Sequence, residues 1–212
     1  MSTRTRQRAG SGPELTFSDR ELIDLAVAWL TLSVAFSLIF VPIHRGGSSV
    51  GYFLGMVGLS LVTVGVAFLL HELAHKVVAI EHGQLAEFRA DYQMLFLALM
   101  GALVGFLFAA PGAVYHRGRI TQRENAMIAL AGPVTNHLLA VMFLPLVLLP
   151  APLGTIGQMG VWINLVLAAF NMIPFGPLDG KSVYDWHKGV FALVFVPSVL
   201  LAGYVVLFVN PF

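Results

Sequence analysis

The stretch His71-Glu72-Leu73-Ala74-His75 has the residue types and spacing of a metal-dependent hydrolase. On a helix, residues four apart lie one turn apart and within ~40° around the axis, so both imidazoles face one point. Such a pair supplies two zinc ligands at ~2.0–2.1 Å, and the glutamate between them reaches a water beside the metal as general base. A zinc hydrolase needs a third protein ligand and keeps a fourth position open. No third histidine follows at the spacing of the soluble metzincins. The best candidate is Asp179, in Asn171-Met-Ile-Pro-Phe-Gly-Pro-Leu-Asp179-Gly180. Pro174, Gly176, Pro177 and Gly180 argue against regular helix there. The plainer readings are two interfacial histidines with a solvated glutamate, and an ordinary aspartate after a proline turn. Ionisable groups inside an apolar segment are costly and usually functional, which weighs against the first.

The elements that must position these residues follow from composition. The chain has 212 residues, 58% hydrophobic and only 11% charged, with a mean hydropathy of +0.83. A soluble domain carries about a quarter charged residues, so a water-soluble globule, a disordered chain and a nucleic-acid binder are all excluded. Twelve basic residues against eleven acidic ones leave no basic excess. Cysteine is absent, which excludes disulfides and thiolate chemistry. The expected fold is an all-α polytopic membrane helix bundle of about five spans plus one re-entrant or additional apolar hairpin.

Residues 1–24 read as a polar cytoplasmic lead, and 25–212 as a single transmembrane domain with its core at about 53–188. The expected spans run from Leu25 to Ile43, from near Tyr52 through Leu70 towards Glu81, from Ala126 to Leu149, from Ile156 to Phe175 and from Val190 to Val209. Each has about 20 residues or more, enough to cross a ~30 Å hydrocarbon core. A Gly/Ser-rich loop, Gly46 to Gly51, separates the first two. Thr121 and Glu124 have capping-box spacing and mark the start of the third. The segment from Met94 to Ala110 is apolar but short. With a cytoplasmic N-terminus, a non-crossing segment keeps Arg117, Arg119 and Arg123 inside with Lys76 and Arg89, so the positive-inside rule favours a re-entrant hairpin.

His71-Glu-Leu-Ala-His75, then Gly132-Pro-Val-Thr-Asn136, then Phe170-Asn171 through Asp179-Gly180, resemble in order the motifs of the site-2 protease family of intramembrane zinc metalloproteases. The resemblance implies one zinc ion per chain held by His71, His75 and Asp179, with Glu72 activating water. It implies that Asn171 holds substrate or the oxyanion and that Asn136 lines the same cleft, both as substrate-binding positions. It also implies cleavage of membrane-anchored proteins within the lipid bilayer, near the cytoplasmic side. The cell membrane is the expected location. The length leaves no room for the PDZ or CBS modules that some members carry.

The alternatives from other classes are a divalent metal transporter using the same ligands and a catalytically silent membrane scaffold. Transport calls for intramembrane ligands leading to both faces, and the outer halves of the spans contain almost none. Silence tolerates a broken ligand set, and all matching positions are intact. His137 reads as a partner for a neighbouring helix. His82, His116 and His187 read as solvated loop residues, and His44 as a boundary residue beside Arg45.

Overall fold

The computed structural model describes residues 14–42, 49–106 and 111–209. Readings that concern Arg4, Arg6, Arg8, His44, Arg45, residues 46–48 of the Gly46–Gly51 loop and residues 107–110 lie outside them. The described chain forms α1 (Asp19–Phe40), α2 (Val50–Val62), α3 (Val64–Glu81), β1 (Leu85–Ala90), α4 (Tyr92–Val104), β2 (Gly112–Arg117), α5 (Gln122–Val147), α6 (Leu153–Asn171), α7 (Asp179–Trp186) and α8 (Lys188–Phe208). Five stretches among these residues are long and apolar enough to cross a membrane: α1, α2 with α3, α5, α6 and α8. The protein is a multi-pass, predominantly helical membrane protein, with one two-stranded sheet among the described residues.

The long second stretch is broken at Thr63, for an identifiable reason. The Trp29 indole N–H of α1 donates to the Leu61 carbonyl at 3.0 Å. The Thr63 hydroxyl donates to the Leu59 carbonyl at 2.8 Å. Side chains inserted into the ladder in this way bend a helix. Gly65 makes room for the indole, since a Cβ there would stand 1.9 Å from it. The histidine pair lies in the middle of α3, about two to three turns beyond the break.

The polar lead is shorter than expected. Ser18 caps α1 by accepting the Glu21 N–H, so residues 19–24 are helix. Glu21 and Asp24 are only 1% and 2% exposed. Both find partners far along the chain. Glu21 binds Lys76 Nζ at 2.5 Å through one oxygen and accepts the Phe88 N–H at 2.9 Å through the other. Asp24 accepts the Tyr92 hydroxyl at 2.6 Å. Buried charges persist when paired and hydrogen-bonded in this way, and here they pin the start of α1 to α3 and to the sheet. At the rim of the same cluster, the Ser18 hydroxyl and the Arg89 guanidinium hold the Glu87 carboxyl below the usual carboxylate range.

Strands β1 and β2 pair antiparallel, from Leu85↔Arg117 to Ala90↔Gly112. The Asp91 N–H donates to the Pro111 carbonyl at 2.9 Å. The segment between them therefore begins and ends at one place. Its helix α4 has 13 residues, or roughly 20 Å, which is too short to cross a ~30 Å core. Ends that meet in this way are what a hairpin entering and leaving on one side requires. The capping box is present at Thr121 and Glu124. Helix α5 is the hub of the bundle, packed against α3, α6 and α7.

Candidate metal centre

His71 and His75 lie one turn apart on α3, and Asp179 is the first residue of α7. Two local features bring the aspartate to the histidines. Helix α6 ends at Asn171, and the segment 172–178 turns through Pro174, Gly176 at φ +60° and Pro177 before α7 begins. Gly180 then packs so tightly on the end of α6 that a Cβ would stand 2.0 Å from the Met172 carbonyl oxygen. Two hydrogen bonds hold α7 to α5: Asn125 Nδ2 to Ser182 Oγ at 3.1 Å, and Gln122 Nε2 to the Asp185 carbonyl at 2.8 Å.

The three side chains converge in a triangle. His71 Nε2 and His75 Nε2 are 2.9 Å apart, and each is 3.3 Å from Asp179 Oδ2. Tetrahedral zinc with ~2.0–2.1 Å bonds separates its ligand atoms by roughly 3.3–3.4 Å, so the two histidine–aspartate distances fit and the histidine pair is somewhat closer together. The electrostatics fit as well. His75 Nδ1 lies 2.7 Å from the Ile128 carbonyl, which only accepts, so Nδ1 carries the proton and Nε2 the lone pair. Asp179 Oδ2 is buried without a hydrogen bond. Electron-rich atoms collected out of water call for a cation between them. His71, His75 and Asp179 are the one group of this kind among the described residues.

Glu72 is buried beside the pair, and its Oε2 has no hydrogen-bond partner. It borders a cavity of about 490 Å³ that also reaches His71, His75, Asp179 and Asn171. Phe36 and Phe40 of α1, Phe68 of α3, and Trp162 and Val166 of α6 make the walls apolar. Gly112, Val114 and His116 of β2 form another side, and Asn125 and Ser182 add polar groups near the metal residues. Asn171 gives one carboxamide N–H to the Leu167 carbonyl at 3.0 Å, which leaves its second N–H unused by that bond.

Asn136 departs from expectation. It is fully buried and is not among the residues lining the cavity. Its Oδ1 lies 2.7 Å from His71 Nδ1, and its Nδ2 donates to Asn164 Oδ1 at 2.9 Å and to the Ala67 carbonyl at 3.3 Å. It braces the histidine from behind and leaves no polar atom for a substrate. His137 behaves as read, with Nδ1 on the Pro133 carbonyl at 2.8 Å and Nε2 3.2 Å from Ser198 Oγ of α8.

Sequence reasoning passed over four residues here. Gly132 lies against both imidazoles: a Cβ would stand 2.4–2.5 Å from ring atoms of His71 and His75. Its placement in Gly-Pro within an apolar span was the available signal. Asn164 interrupts the otherwise apolar stretch 159–170 of α6, itself a signal under the cost of burying an amide. His116 reads in sequence as a solvated loop residue, and nothing local marks Asn125. Their place on the cavity depends on the fold of β2 and the docking of α7.

Three proteins bear on these observations. The chain is 42% identical to "Putative zinc metalloprotease MJ0611" of Methanocaldococcus jannaschii over 194 residues, 86% of this chain and 93% of that protein. It is 31% identical to "Putative zinc metalloprotease YwhC" of Bacillus subtilis over 184 residues, covering 76% and 84% of the two chains. It is also 31% identical to "Putative zinc metalloprotease sll0528" of Synechocystis over 166 residues, 75% of this chain and 38% of that one. No family model and no solved structure matches the chain.

Proposed function

Because the chain belongs to the family of zinc metalloproteases that these relatives represent, we propose that it is an intramembrane zinc endopeptidase of the site-2 type. In this reading it hydrolyses peptide bonds of membrane-anchored proteins near the cytoplasmic side of the cell membrane, with its N-terminus inside. His71, His75 and Asp179 hold one zinc ion. When bound, the ion supplies a Lewis acid for the scissile carbonyl and lowers the pKa of an adjacent water.

The chain's own residues do the rest. Glu72 has a buried, unpartnered oxygen beside the metal residues. It takes the proton from the attacking water and delivers it to the leaving amine. Asn171, at the cavity wall, offers its second N–H to the substrate backbone or to the oxyanion that develops on its carbonyl. The aromatic walls contributed by α1, α3 and α6 exclude water around the reacting bond and receive an apolar, locally unwound segment.

The observation that carries the proposal is the convergence of the ligand atoms of His71, His75 and Asp179 to within 2.9–3.3 Å of one another, beside the unpartnered Glu72 Oε2, in a mostly apolar cavity among membrane-spanning helices. Protein reconstituted in detergent or liposomes tests it against a panel of membrane-spanning peptides. One zinc per chain and cleavage that a chelator abolishes are the expected results. Stoichiometric zinc without cleavage of any peptide, or cleavage unaffected by chelation, contradicts the proposal.

A further inference from the structure

The buried amides of α5 and α6 form a chain that ends on a metal-site histidine, and its direction is set one bond at a time. Asn164 is 0% exposed and gives its Nδ2 N–H to the Gly160 carbonyl at 2.8 Å. A carbonyl only accepts, so this carboxamide has one orientation, with Oδ1 towards Asn136. Asn136, also 0% exposed, must then present Nδ2 to Asn164 Oδ1 at 2.9 Å, and the same group meets the Ala67 carbonyl at 3.3 Å. Its Oδ1 is left facing His71 Nδ1 at 2.7 Å, and that nitrogen must carry a proton. The His71 lone pair therefore sits on Nε2, the atom 2.9 Å from His75 Nε2 and 3.3 Å from Asp179 Oδ2. Turning the Asn136 amide over would set its oxygen against two acceptors and remove the acceptor from His71.

We infer that Asn164, which does not line the cavity, is a positioning residue for the metal site: it sets the orientation of the Asn136 carboxamide and, through it, the ring tautomer of His71. This rests on the metalloprotease reading and extends it to a residue on a third helix. Partners behind a ligating histidine typically change metal affinity by 10–100-fold when removed.

A double-mutant cycle separates this role from packing. The zinc affinity of the purified full chain is measured by competition with a chromogenic chelator, alongside thermal unfolding of the zinc-free protein. Asn164→Leu lowers zinc affinity roughly ten-fold in the otherwise natural chain. In an Asn136→Ala background it has no further effect, because no carboxamide is left at position 136 to orient. Asn136→Ala alone lowers zinc affinity by roughly 10–100-fold, since it removes the partner of His71 Nδ1 outright. Asn164→Ala removes the same acceptor and carries the cycle should the leucine variant fail to fold. Natural affinity in Asn164→Leu or Asn164→Ala overturns the inference, as does an equal loss in both backgrounds, the mark of packing alone. A natural chain that binds no zinc contradicts the proposed function instead, so the two failures are distinguishable.

Discussion

Gly132 of α5 lies directly against the ring of His71: a Cβ at this glycine would stand 2.4 Å from His71 Cε1 and 2.5 Å from its Nε2. The same atom would lie 2.5 Å from His75 Nε2. Helix α5 can thus back the metal residues only through a position without a side chain. Gly132→Ala should push the imidazoles off their common focus and lower zinc affinity by roughly ten-fold or more, the size of effect seen when supporting contacts of a metal site are lost. Circular dichroism should show unchanged helix. Natural zinc affinity in this variant would mean that the two helices separate without disturbing the site.

Gly180 does the same for the third metal residue. A Cβ there would stand 2.0 Å from the Met172 carbonyl oxygen, which is backbone and cannot swing aside. Gly180→Ala should lift the start of α7, withdraw Asp179 and reduce zinc content. Gly203 of α8 meets nothing within 4 Å, so Gly203→Ala should leave zinc content unchanged. Zinc analysis of the two variants checks the contrast, and equal zinc in both would sink it.

The Lys76–Glu21 pair is a stability element one residue beyond His75. Both groups are at most 2% exposed, and Lys76 Nζ also reaches the Thr16 carbonyl at 2.5 Å. Removing one member strands the other charge out of water. Lys76→Met should destabilise the protein by about 3–5 kcal/mol, read as a fall in the denaturant midpoint in detergent. A loss below about 1 kcal/mol would place the pair in the solvated class.

Much of this arrangement is legible in the sequence because its signals are local. The histidine spacing is a property of one helix turn. The spans appear as unbroken apolar runs, which is why their observed ends differ from the expected ones by only a few residues. Asp179 stands out because prolines and glycines surround it, and its convergence with the histidines is visible in the structure. What stayed hidden depends on partners far along the chain. Glu21 and Asp24 read as lead residues because Lys76, Phe88 and Tyr92, which neutralise or satisfy them, come more than fifty positions later. The break at Thr63 falls inside a continuous apolar run and requires Trp29 of another helix. Asn136 carries no local mark that distinguishes a cleft residue from one behind a ligand. Only the neighbouring Asn164 shows which it is.

The paired strands also make a topological prediction. Since β1 and β2 bring the ends of the α4 segment together, cysteines introduced at Glu81 and Arg119, both exposed, should be labelled from the same side of sealed vesicles. The chain has no cysteine of its own to interfere. Labelling from opposite sides would require α4 and its flanks to cross the membrane.

The most direct test of the central claim compares Glu72→Gln with the natural chain, measuring zinc content and cleavage of a membrane-spanning peptide in one preparation. The glutamine has nearly the same shape but cannot take a proton, and position 72 is not among the three metal residues. The account predicts one zinc per chain in both proteins and cleavage only in the natural one, through loss of proton transfer. Asn171→Ala, measured beside them, should keep its zinc and lose roughly 10²–10³-fold in turnover. Cleavage by Glu72→Gln at the natural rate would contradict the mechanism.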